Sequence, residues 1–188
     1  GVASGALRDH GGNILINIFG GTAANAARAL SVQLGGAVQN FVTNFMTAVN
    51  PQITKSYAAD DKEYTMNLVF RSSKYSFFLL LVLALPVFLN VRPILDFWLE
   101  EVPDHTASFV RLALVLSLSE CISTSLVTLM LATGNIRNYQ IIVGGLQLLN
   151  LPVSYLLLKA GAPLESILVV AIVISQISLF ARLFLLKG

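Results

Sequence analysis

The stretch YSFFLLLVLALPVFLN, residues 75–90, runs sixteen residues without a formal charge. Comparable stretches recur at residues 107–131, 139–158 and 164–186, joined by short polar segments. Mean hydropathy is +0.75 and only 12% of residues are charged. A bilayer core of about 30 Å is crossed by roughly 20 apolar residues in a helix. Helices satisfy their own backbone hydrogen bonds in lipid, so a series of such stretches predicts a polytopic all-α membrane protein. That narrows function to transport, signalling or chemistry inside the membrane.

The chain of 188 residues has room for about six spans. These are expected at residues 11–32, 36–50, 75–90, 107–132, 139–159 and 164–186. A polar cytoplasmic connector, 51–73, is expected to hold an amphipathic helix opened by Asp60 and Asp61, with Arg71 and Lys74 near its C-terminal end as the macrodipole prefers. Phe97 and Trp98, in a short segment at 93–99, suit the membrane–water interface. With no cleavable signal pattern and no initiator Met, the chain is expected to begin inside a longer protein. Cys121 is the only cysteine, which excludes an internal disulfide and reads as a small apolar helix residue.

Basic residues set the expected orientation. With the N-terminus cytoplasmic, Arg8, Lys55, Lys62, Arg71, Lys74, Arg137, Arg182 and Lys187 all fall inside. Arg92 and Lys159 fall outside, beside the acids Glu100, Glu101 and Asp104, while Arg28 and Arg111 lie towards outer helix ends. This positive-inside bias places both termini of the chain in the cytoplasm. The net charge of +2 gives no reason to expect a nucleic-acid partner.

The first two spans are unusually polar. Asn13/Asn17 and Asn40/Asn44 stand four apart, Thr43 and Thr47 continue at helical spacing, and Asn25 adds a further amide. Polar groups are costly against lipid, so these faces should meet protein or a water-filled cavity. Two readings stand: interhelical hydrogen bonding, or a hydrated cavity whose amides and hydroxyls suit sugar hydroxyls. Glu120, near the middle of the fourth span, is a candidate ion-coupling site, with a neutral structural glutamate as the alternative. Arg28 could hold a lipid pyrophosphate or snorkel to headgroups. Gly20-Gly21, Pro51, Pro86 and Pro152 mark places where helices can bend or end. His10 and His105 are isolated, so no metal site is expected. With no catalytic motif and no paired carboxylates at catalytic spacing, neither an enzyme nor a cofactor is expected.

Several stretches carry a resemblance: Asn13-Ile14-Leu15-Ile16-Asn17-Ile18-Phe19-Gly20, Asn25-Ala26-Ala27-Arg28-Ala29 and FVTNFMTAVNPQITKSY at residues 41–57. Further on come Ile94-Leu95-Asp96-Phe97-Trp98-Leu99 with Val102-Pro103, then Ala132-Thr133-Gly134-Asn135-Ile136 and the helix at 139–158. Together they resemble the prokaryotic polysaccharide flippases of the multidrug/oligosaccharidyl-lipid/polysaccharide exporter superfamily over nearly the whole chain. The resemblance implies the C-terminal six-helix lobe of a two-lobe transporter. It also implies an undecaprenyl-pyrophosphate-linked oligosaccharide as substrate, the N-terminal lobe and the bilayer as partners, and the bacterial inner membrane as location. The chain departs from the family's pattern at Phe19-Gly20-Gly21, where a Phe-Gly-Pro is usual, and at Asp60-Asp61. The polar stripes Asn13, Asn17, Asn25, Arg28, Asn40, Thr43, Asn44 and Thr47 would then line the substrate cavity. Rivals are a multidrug or cation antiporter of the same superfamily and a non-transporting membrane scaffold.

Overall fold

A computed structural model describes the backbone of residues 2–134 and 136–187, with the side chains of residues 8, 10–134 and 136–186. Asn135 and the side chain of Lys187 lie outside the described residues. Among the described residues seven helices follow in order: α1 Val2–Ala58, α2 Lys62–Leu89, α3 Val91–Trp98, α4 Thr106–Ala132, α5 Ile136–Leu148, α6 Asn150–Lys159 and α7 Ser166–Lys187. Among the described residues four helical segments are long and apolar enough to cross a membrane: Lys62–Leu89, Thr106–Ala132, Ile136–Lys159 and Ser166–Leu186. α1 is not one of them.

α1 is not a single rod. Gly21 sits at φ 73° and ψ −170°, a conformation open essentially to glycine alone. Arg28 Nε donates to Asn13 Oδ1 at 3.3 Å. In a straight helix two residues fifteen apart would be separated by about 22 Å. The chain therefore reverses at Gly21 into two antiparallel limbs, residues 2–20 and 22–58. This corrects the expected break at 33–35. The glycine pair there stays helical, and Gly35 instead lets α4 approach: a Cβ on it would lie 3.7 Å from the Ala113 Cβ.

The expected cytoplasmic connector at 51–73 is likewise corrected, since its residues belong to the ends of two long helices. Asp60, at φ 57°, turns the chain, and the Asp61 carboxylate accepts from the Tyr64 backbone N–H at 3.0 Å to cap α2. The helix so opened then runs without a break into residues 75–89. Pro152 has no N–H to offer the Leu148 carbonyl, so the helix loosens at Leu149 between α5 and α6, although Leu149 itself stays in the right-handed helical region. Gly134 and Gly161, both at positive φ, end α4 and α6.

α4 is the central helix. Asn50, Met46 and Gly35 of the second limb sit beside Thr128, Ser125 and Ala113 respectively, so limb and α4 run parallel. α2 runs the opposite way, with Ser72 Oγ 2.8 Å from Ser125 Oγ and Ser73 Oγ donating to the Ile122 carbonyl. Its buried face, Thr65, Val69, Ser72, Ser76, Leu80 and Ala84, is rich in small residues that let the backbones close in. One apolar cluster joins the second limb, α2 and α4 through Val42, Met46, Leu80, Leu114 and Leu126. A second joins the first limb, α4, α6 and α7 through Ile16, Phe109, Leu158 and Leu168. Large apolar side chains such as Ile18, Phe41, Phe78, Val82 and Phe180 face outward. That inversion, with hydroxyls in the seams and aliphatics outside, suits a bundle dissolved in lipid.

At one end lie Gly21, the loop at 99–105 and the turn at 160–165, linked by His105 Nδ1 and Glu165 Oε1 at 2.7 Å. The opposite end carries Ala58 and the α4–α5 turn. Phe97 is 95% exposed and Trp98 stands partly out of α3 at the Gly21 end.

Candidate functional site

Between the two apolar clusters runs a polar cleft. Its most demanding pair is Arg8 of the first limb and Glu120 of α4, with Arg8 Nη1 donating to Glu120 Oε1 at 2.5 Å. The two side chains are 18% and 39% exposed. The pair divides the cleft into two cavities, each bordered by both residues. A charge at this depth is costly alone, and each member offsets the other's cost. The Glu120 carboxyl thus has the Arg8 guanidinium as its partner across the cleft.

Towards the Gly21 end, a cavity of about 250 Å³ is bordered by Asn13, Arg28, Gln39 and Ser117. Arg28 is buried, 7% exposed, and lies against the first limb, where it binds Asn13; it does not snorkel out of the bundle. Towards the Ala58 end, a larger cavity of about 460 Å³ is bordered by Asn50, Gln147, Asn150, Ser178 and Arg182. On its wall Thr128 Oγ1 donates to Asn50 Oδ1 at 2.8 Å.

The predicted stripe residues separate into two groups. Arg28 and Asn13 meet, and both border the smaller cavity. Asn25 is half-buried beyond it, and Asn17 is exposed. Asn40, Thr43, Asn44 and Thr47 are all exposed, on the face of the second limb opposite Val38, Val42 and Met46. They border neither cavity. Thr43 and Thr47 donate back to the carbonyls of Gln39 and Thr43, which satisfies their hydroxyls locally. One limb therefore carries two polar faces: Gln39 and Asn50 turn inward, and the amide–hydroxyl stripe turns outward.

Reading by local pattern missed the larger cavity. Ser175, Ser178 and Arg182 recur at three and four residues, a helical face inside the most apolar helix, and that spacing was the available signal. Arg8 and Arg182 entered the sequence reading only as charges that orient the chain. No local pattern could pair Arg8 with Glu120, 112 positions away. Arg111 meets none of the acids at 100, 101 and 104; its guanidinium stands 5.9 Å from the Phe88 ring centre. Cys121 is a buried core residue. Among the described residues no group of three His, Cys, Asp or Glu side chains could hold a metal ion. No family model, curated protein or solved structure matches the chain.

Proposed function

We propose that the chain is one six-helix lobe of a flippase that moves undecaprenyl-pyrophosphate-linked oligosaccharide across the bacterial inner membrane for surface polysaccharide synthesis, O-antigen and lipopolysaccharide among them. In this reading the two limbs of α1, α2, α4, the α5–α6 unit and α7 are the six spans. The Ala58 end faces the cytoplasm and the Gly21 end the periplasm, with both ends of the chain cytoplasmic. The observation that carries the reading is the outward stripe of Asn40, Thr43, Asn44 and Thr47. Four amide and hydroxyl side chains lie uncovered in one stripe of a bundle that elsewhere turns many large apolar side chains outward. Lipid solvates such a face poorly, whereas a hydrated passage shared with a second lobe solvates it well, and glycan hydroxyls match its donors and acceptors.

The ion-coupling role suggested for Glu120 takes a different form in this proposal. Because Arg8 holds the carboxylate, a coupling proton or cation would have to compete with a guanidinium at 2.5 Å. That competition also disfavours the antiporter reading, which needs an accessible acid. The scaffold reading accounts for Asn13 and Arg28, which bind one another, but leaves the outward stripe without a partner.

The test is cysteine labelling of the full-length protein with Cys121 replaced. Single cysteines at positions 17, 40, 44 and 47 are probed with a membrane-impermeant thiol reagent, with and without lipid-linked glycan precursor. Labelling that the precursor blocks is expected. Labelling unaffected by the precursor, or none at any position, would sink the proposal.

A further inference from the structure

The larger cavity holds a set of polar atoms that the fold leaves without partners. Ser123 Oγ, Asn150 Nδ2, Ser178 Oγ and Arg182 Nε are all buried and make no hydrogen bond. Asn150 and Ser178 are 1% exposed, Ser123 4% and Arg182 7%. Each residue borders the same space of about 460 Å³. A buried polar group left unsatisfied is costly, so four in one cavity describe a place built to be filled.

The chemistry of the set is one-sided. Arg182 Nε and Asn150 Nδ2 can only donate, and the two hydroxyls can donate as well as accept. Of the described charged side chains bordering the cavity, Arg8 and Glu120 are joined to each other, which leaves the Arg182 guanidinium as the surplus charge among them. Thr128, beside the cavity, precedes the α4 terminus at Ala132 by only four residues, about 6 Å of helix. The space thus lies within reach of the headgroup level at the Ala58 end.

We infer that this cavity binds a phosphate-type oxyanion, supplied either as free phosphate or as the phosphate of an anionic lipid headgroup. Arg182 provides the charge and a directed N–H, while Asn150, Ser178 and Ser123 supply neutral hydrogen bonds to the remaining oxygens. A halide would use one or two of these donors in a space far larger than itself. The inference does not depend on the flippase reading, since the outward stripe borders a different surface.

The test uses purified full-length protein in a phosphate-free maltoside detergent. Binding of inorganic phosphate is followed by calorimetry against a chloride control, and binding of phosphatidylglycerol by native mass spectrometry. Arg182→Gln should weaken whichever ligand binds by at least about tenfold, as expected for loss of a charged hydrogen bond. Asn150→Asp, which keeps the volume and adds a repelling carboxylate, should weaken it similarly, while Arg182→Lys should recover part of the affinity. Phosphate binding lost in these variants assigns the free anion. Lipid adducts lost in them, with no phosphate binding, assign the headgroup. If neither ligand binds, or if binding is unchanged in Asn150→Asp, the cavity holds water or other protein and the inference is overturned. Ser178→Ala supplies the same comparison should Arg182→Gln fail to fold.

Discussion

The two polar faces of the second α1 limb differ in a way that neither composition nor spacing reveals. Gln39 and Asn50 turn into a cleft that also holds Arg8, Arg28, Glu120 and Arg182. Asn40, Thr43, Asn44 and Thr47 turn outward and include no charge. Charged groups are thus kept where neighbouring helices can offset them, and neutral groups are left where nothing in the chain covers them. The inner face bears on the stability of the bundle. The outer face bears on what the bundle meets.

Substitutions should separate these two roles. The largest effect is expected at the Arg8–Glu120 pair. Glu120→Ala, which removes this carboxylate from the Arg8 guanidinium, should cost about 3 kcal/mol, the low end for breaking a buried pair because Glu120 is partly exposed. Thermal unfolding in detergent would read it, and the double replacement Arg8→Met with Glu120→Leu should recover most of the loss. A full loss persisting in the double variant would show that the two residues act separately.

Next comes the reversal that brings the first limb against the cleft. Gly21→Ala places a Cβ at positive φ and should cost about 2 kcal/mol, while Gly36→Ala, within the helix, should be neutral or slightly stabilising. Equal effects at the two glycines would argue against a fold-back at Gly21. Ser125→Ala, which strips a partner from Ser72 in the α2–α4 seam, should cost about 1 kcal/mol in the same assay. The smallest stability change is expected on the outer stripe: Thr43→Val with Asn44→Leu should shift unfolding by less than about 0.5 kcal/mol. If the proposed flippase reading holds, the same pair should nonetheless abolish glycan complementation by the full-length protein. A large loss of stability there would move the stripe from the passage to the structural side of the comparison.

Much of the fold was legible because lipid-facing helices announce themselves by length and apolarity. The segments at 107–132, 139–159 and 164–186 match α4, α5–α6 and α7 within a few residues. Asp60-Asp61 was legible as a helix opening for a local reason, the carboxylate cap on Tyr64. The glycine pairs at 20–21 and 35–36 were not distinguishable by composition. Gly20-Gly21 reverses the chain and Gly35-Gly36 does not, and the difference lies in what packs around them: α4 is seated against Gly35, while a Cβ at Gly21 would meet nothing. The site divided along the same line. Stripes with helical period could be read, including the fact that some must face away from lipid, but which face meets which neighbour depends on residues more than a hundred positions apart. The Arg8–Glu120 pair and the unpartnered atoms of Asn150, Ser178 and Arg182 exist only once four helical segments are assembled.

The reversal at Gly21 has a practical bearing on how the protein can be handled. Helix runs directly into helix there through one residue, with no slack for a protease to extend or an inserted tag to occupy. The segment at 99–105, by contrast, is irregular over several residues, with Glu100, Glu101 and Asp104 exposed. An epitope placed there should be displayed with the bundle intact, whereas the same insertion at Gly21 would add chain where a single residue makes the turn and would draw Arg8 out of register with Glu120.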